Sequence, residues 1–197
     1  MSDVLAEVRA GLRDHFTSVG VVGEPVAANV TFLGTDPMTV LRYGADAEGI
    51  YHYVSLGCSR HPMVDPLEFH VDQSSGPRAE VVVALRGPTP TGLARSIAVV
   101  ASAPAVEGLI LVPDALVDLE TPLWPGAPFT AMLMGHSGIA DIAIGGSDES
   151  VAVLSATPIT ATEAAWVRLK GADAMREAWR TDGVDVTNPG RPAAQPS

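Results

Sequence analysis

The stretch Leu154–Met175, LSATPITATEAAWVRLKGADAM, constrains the fold more than any other part of the chain. It reads as a buried strand that stops at Pro158, turns, and enters a helix at once. Thr160 and Glu163 have capping-box spacing, in which each side chain satisfies an orphan backbone N–H at the helix start. Trp166 and Leu169 share one helix face, and Gly171 is placed to end the helix in a left-handed cap. A second short helix follows, with Met175, Ala178 and Trp179 on one side and Arg176, Glu177 and Arg180 on the other. This unit fixes how the domain closes.

Upstream, Leu5, Val8, Leu12 and Phe16 recur at helical spacing, which predicts an amphipathic helix over Ser2–Phe16. Val26–Phe32, Met38–Tyr43 and Ile50–Leu56 read as strands. In the third, Tyr51, Tyr53 and Ser55 share one face, and His52, Val54 and Leu56 the other. Gly57–Gly76 is a long irregular connection of the kind that often carries function. Arg78–Leu85, RAEVVVAL, is β-branched and nearly continuously apolar, which predicts a central strand. A buried helix is expected over Leu93–Ser102 and a short strand over Leu109–Val112. The proline-rich Pro113–Pro128 should be largely irregular. Thr130–Met134, Ile139–Ile144 and Val151–Thr157 read as three antiparallel strands, with turns at His136–Gly138 and Gly145–Glu149. Grouped strands with helices at the start, middle and end indicate an α+β fold. Its core is a single mixed, mainly antiparallel sheet with N-terminal, central and C-terminal helices packed on it. Residues 1–182 form this domain. The segment 183–197, with three prolines and few apolar side chains, is expected to be a disordered tail.

Charge narrows the partners. Lys and Arg total 12 against 23 Asp and Glu, a formal net charge of −11 over 197 residues. That excludes phosphate-backbone binding and opposes an anionic membrane surface, so neither nucleic acid nor membrane is expected. It favours a basic partner. The single cysteine, Cys58, allows no intramolecular disulfide, which fits a reducing cytoplasm.

Catalytic patterns are incomplete. Gly135–His136–Ser137–Gly138–Ile139 resembles a nucleophile elbow, but Ile139 stands where a second glycine is required. Gly57–Cys58–Ser59–Arg60–His61 fails in the same way at His61. No Walker A sequence and no GxGxxG occurs, and no nucleotide or other cofactor is expected. His52, Cys58, His61, Glu68, His70 and Asp72 lie close in sequence, yet they lack the paired cysteines of structural zinc and the HExxH of catalytic zinc. Cys58 is read as a buried, inert thiol.

Four features give the chain a family likeness. One is the strand running into Val54–Ser55–Leu56–Gly57–Cys58–Ser59, an aromatic-rich strand that ends in a G-x-S step. Another is Arg78–Ala79–Glu80–Val81, leading a central strand that the Leu93–Ser102 helix follows. The third is the loop Pro122–Leu123–Trp124–Pro125–Gly126, and the fourth is Thr157–Pro158–Ile159 with Glu163 and Gly171. In this order they resemble the Suppressor of fused domain family in its bacterial single-domain form.

The resemblance implies binding rather than catalysis. It implies a protein or peptide partner gripped in part by strand addition, and for bacterial relatives the neutralising of a toxin, as an immunity protein does. Candidate contact residues are Tyr51, Tyr53, Trp124 and the Ser59–Asp65 loop with Ser59, Arg60 and His61, since aromatic side chains are common interface anchors. Packing in the core is the other reading of the three aromatics. The competing class is a small metal-dependent or serine hydrolase built on His52, Cys58, His61 and His70. It requires their ring nitrogens and sulfur to converge within about 4 Å of one point.

Overall fold

A computed structural model describes residues 3–64, 76–145 and 149–194. Eight strands form one sheet in the order β1-β2-β3-β4-β8-β6-β5, with β7 pairing β8. The strands are β1 Val26–Val30, β2 Met38–Tyr43, β3 Ile50–Leu56, β4 Arg78–Arg86, β5 Leu116–Asp118, β6 Phe129–His136, β7 Ile142–Ala143 and β8 Ser150–Thr160. Neighbours run antiparallel except β4 and β8, which are parallel. The helices are α1 Val4–Ser18, α2 Leu93–Glu107, α3 Ala161–Lys170 and α4 Ala172–Thr181. The α+β class and the single mixed sheet are as the sequence predicts.

The period-2 pattern of the strands sorts side chains between two layers. Tyr53, Val81, Val83, Leu85, Met132 and Met134 pack with Ile97, Val100 and Ala101 of α2 on one face. On the other face Val8, Leu12 and Phe16 of α1 pack on Leu41, Val54, Val82, Val151 and Val153. Further along that face, Ala131, Leu133 and Ile159 pack with Val167 of α3 and Met175 and Trp179 of α4. Asp3 caps α1 by accepting the Leu5 N–H. The predicted capping box of Thr160 and Glu163 starts α3. Gly171 ends α3 at φ 89 and ψ 167, outside the left-handed helical region expected for it. The buried side of α3 is Glu163, Ala164 and Val167, while Leu169 is exposed.

Several expectations need correction. Leu109–Val112 is not a strand; the short strand of this region is β5, within the largely irregular Pro113–Pro128. β6 and β7 do not pair with each other; both line the same long partner, β8. Pro158 does not stop β8, which runs on to Thr160. Pairing with β4 ends at Val82–Ser155, and beyond it the Pro158 carbonyl accepts from Arg191 Nη2 at 3.0 Å. A residue's N–H and C=O point to the same side of a strand, so the missing proline N–H costs no bond to β6. Residues 183–194 are not a structureless tail. Thr187 O accepts the Arg86 N–H at the end of β4, Val184 and Val186 pack on the α4 cluster, and Arg191 and Ala194 are buried. The segment fills the opening where β4 and β8 part. The middle of the Gly57–Gly76 connection and of the Gly145–Glu149 turn lies outside the described residues, as do Asp65, Glu68, His70 and Asp72.

Candidate functional site

The G-x-S step at the end of β3 folds around a buried carboxylate. Glu80 of β4 is fully buried, and its Oε1 accepts from Gly57 N at 2.9 Å, Ser59 N at 3.0 Å and Ser59 Oγ at 2.6 Å. The Ser55 hydroxyl donates to Oε2 and itself accepts the Val81 N–H at 2.9 Å. Two residues before Glu80, Arg78 Nη1 donates to the carbonyls of Ser59 and Arg60 at 2.8 and 3.0 Å. The alternate residues Arg78 and Glu80 thus hold the carbonyls and the N–H groups of one turn, Cys58–Arg60. A carboxylate with several N–H and O–H donors can stay buried because each lone pair is satisfied. Gly57 is required here: its φ is 146, and a Cβ would stand 2.8 Å from Met38 Sδ. Burial first, and the Glu80 charge second, push the Cys58 thiol well above its ordinary pKa.

A second buried carboxylate closes the other end of the domain. Glu163 accepts from Thr160 N at 2.9 Å, Trp179 Nε1 at 3.0 Å and Ala194 N at 3.0 Å. Arg191 adds a two-pronged pair, Nη1 at 2.7 Å and Nη2 at 3.1 Å. Burial alone would raise the Glu163 pKa. The bonds from Arg191, Thr160 N–H, Trp179 and Ala194 N–H outweigh it, and the pKa lies below its ordinary value. The capping glutamate was readable from the sequence; its arginine partner, 28 residues on in a proline-rich segment, was not.

The Glu80 clamp and the core absorb much of the predicted contact surface. Ser59 is fully buried on Glu80. Tyr53 is 2% exposed and donates to Thr89 Oγ1 at 2.9 Å, while Trp124 is 8% exposed with its ring edge on Phe129. None of the three has free surface to offer a partner. Tyr51 is half-buried beneath the Arg42 guanidinium, Arg60 is half-buried with Nη2 on Pro37 O, and His61 is exposed beside Asp36 at 3.3 Å. Nor do the described members of that group, His52, Cys58 and His61, converge. His52 bonds Asp46 at 3.0 Å and packs near Phe16, Cys58 is held by the Glu80 turn, and His61 lies with Asp36. Among the described residues no three His, Cys, Asp or Glu side chains gather as a metal would need.

Among the described residues, two of the open surfaces bear on a partner. The first is the outer side of β1, which among the described residues pairs only β2. Its sequence, VAANV, has no charge and no proline, and its pairing with β2 is regular over all five residues. Val26 at its start is 57% exposed, and Val22 and Leu33 beside it are 89% and 105% exposed. Natural sheets usually guard an edge with charge, proline or a bulge, and β1 has none of them. The second is a groove of about 600 Å³ on the sheet face opposite α2. Its floor is Val82 and Ala84 of β4 with Ser155 and Thr157 of β8. Its walls are the end of α1 at His15 and Phe16, the 46–48 turn, the 136–139 turn, and Val186–Thr187.

Fold and site together define a class: a single-sheet α+β domain held by two buried carboxylate clamps, with an open strand edge and a groove between two groups of helices. Residues 34–192, well over half of the chain, match the family model for Suppressor of fused protein, and the chain belongs to that family. No curated protein matches the chain. Among solved structures it resembles a Suppressor of fused homologue from Neisseria gonorrhoeae at 14% identity and a TM-score of 0.68, covering 98% of this chain and 97% of that one. A Sufu–Fu complex gives the same identity and TM-score and is covered over 93% of its chain. Drosophila Suppressor of Fused also matches at 14% identity and a TM-score of 0.68, but this chain spans only 51% of it. At this identity the structures share the fold. Among the described residues no helix is long and apolar enough to cross a membrane.

Proposed function

We propose that this domain is a non-enzymatic, cytoplasmic protein-binding module that takes an extended segment of a partner protein onto the outer edge of β1. The observation that carries the proposal is the unguarded edge itself: five regularly paired residues without charge or proline, beginning at exposed Val26 and flanked by exposed Val22 and Leu33. In strand addition the backbone supplies affinity and alternate side chains supply selectivity. Family membership supports a protein partner, since one structure of similar fold is a Sufu–Fu complex. The net charge of −11 favours a basic partner. The finer reading is an immunity or sequestering role, in which a basic toxin is held inactive.

The test is affinity capture from the native cytosol with the wild-type chain and with Ala28→Lys. Ala28 is exposed in mid-edge, so the lysine guards the edge without entering the core. A stoichiometric basic protein retained by the wild type and lost by the variant, at equal melting temperature, supports the reading. Equal capture by both removes β1 as the site.

A further inference from the structure

The β1 edge is complementary to a second copy of itself. By its register with β2, Val26, Ala28 and Val30 stand beside Arg42, Val40 and Met38, on the α2 face of the sheet, where Val30 packs against the cluster that holds Met38 and Val40. Ala27 and Asn29 stand on the opposite face, and Asn29 Oδ1 accepts the Thr39 hydroxyl at 3.0 Å. Every residue of β1 but Val30 is exposed, so a further strand has room beside it.

A two-fold axis perpendicular to the sheet at Ala28 pairs this strand with itself over its whole length. Antiparallel residues directly opposite one another point to the same face. Val26 then opposes Val30 of the other copy, Ala27 opposes Asn29, and Ala28 opposes Ala28. The Val-Ala-Val rows of the two copies form one apolar face, and neither strand carries a charge to repel its mate. Reversal of direction also joins the two ends crosswise. Val22 before β1 and Leu33 after it are the most exposed large apolar residues among those described. Each Val22 falls toward Leu33 of the other copy, so the axis covers both. Glu24 falls toward the end where Arg95 stands over the Phe32 ring at 5.8 Å, and the two Glu24 carboxylates stay at opposite ends of the pair.

We propose that β1 pairs with β1 of a second copy about Ala28, and that this homodimer covers the edge until a partner segment displaces it. The regulatory half rests on the reading of β1 as the partner's docking edge; the pairing itself does not. The net charge of −11 on each copy opposes the dimer, so self-pairing is weak at low salt and strengthens as salt screens the repulsion. Capture of a basic partner has the opposite salt dependence.

Sedimentation velocity of the full chain from about 1 to about 500 µM, at about 0.05 and about 0.5 M NaCl, reads the pairing. The mass should rise from monomer toward dimer with concentration, and further at the higher salt. Ala28→Lys sets two lysines opposite each other and should raise the dimer dissociation constant at least about five-fold, at unchanged melting temperature. Val22→Glu and Leu33→Lys alone should each weaken the dimer roughly two- to five-fold. The double variant should recover the loss, because the two positions meet only across the axis. A monomer at every concentration and salt, or a dimer that Ala28→Lys leaves unchanged, overturns the proposal. Neither result touches the docking reading, which affinity capture at low chain concentration decides by itself. A dimer lost in Ala28→Lys, with no partner captured by the wild type, keeps the pairing and overturns its regulatory role.

Discussion

Glu80 Oε1 takes both the backbone N–H of Ser59, at 3.0 Å, and its hydroxyl, at 2.6 Å. One carboxylate oxygen thereby fixes the turn that leaves β3, and a serine that sequence reasoning offers as a contact residue becomes part of the interior. Glu80→Gln keeps the shape but puts an amide where donors already converge. It should destabilise the domain by about 2 kcal/mol, read as a lowered urea midpoint at unchanged slope.

The same turn depends on Gly57. At φ 146, with Met38 Sδ 2.8 Å from where a Cβ would stand, Gly57→Ala combines backbone strain with a clash against a flexible side chain. A loss of about 1–3 kcal/mol is expected by chemical denaturation. A substitution without effect would mean that the turn relaxes freely.

Cys58 should be a poor nucleophile, because burial and the neighbouring Glu80 charge both hold it as the thiol. Its reaction with a disulfide reagent at pH 8 should run at least about ten-fold slower than in the urea-unfolded chain. Equal rates would contradict this suppression of the thiolate.

The Glu163–Arg191 pair ties stability to pH. The Glu163 pKa is lowered in the fold, so its contribution is fully present above the ordinary carboxylate value and is lost as pH falls through the folded value. Removing the cation in Arg191→Met leaves a buried charge with fewer partners, at a cost of about 3–5 kcal/mol at neutral pH. Burial then dominates the Glu163 pKa, and acid destabilisation should begin at higher pH than in the wild type. Urea midpoints across the acid range check both. A chain ending at residue 182 should lose comparable stability, whereas an unaffected truncation would return 183–194 to the status of a dispensable tail.

The fold was legible where local signals and packing agree. RAEVVVAL announced a central strand, Val8, Leu12 and Phe16 announced the face of α1, and Thr160 with Glu163 marked the start of α3. Signals failed where a long-range partner decides. Pro158 is tolerated because its side of β8 faces Arg191 rather than a strand, and residues 183–194 are held by backbone hydrogen bonds, the ion pairs Arg86–Asp185 and Glu163–Arg191, and the packing of Val184 and Val186, without helical or strand periodicity. Tyr53 and Trp124 have the chemistry of interface anchors and the burial of core residues, and only three dimensions separate the two. The groove left a faint mark, Ser155 and Thr157 breaking the apolar alternation of β8, which means nothing until the helices on either side are placed.

The most direct measurement is hydrogen exchange of the chain with and without the basic protein recovered by capture. Slowed exchange at the β1 amides Val26–Val30 on binding, with β5 at the opposite edge unchanged, is the predicted result. Unchanged β1 amides, with protection arising elsewhere on the domain, would contradict strand addition at this edge.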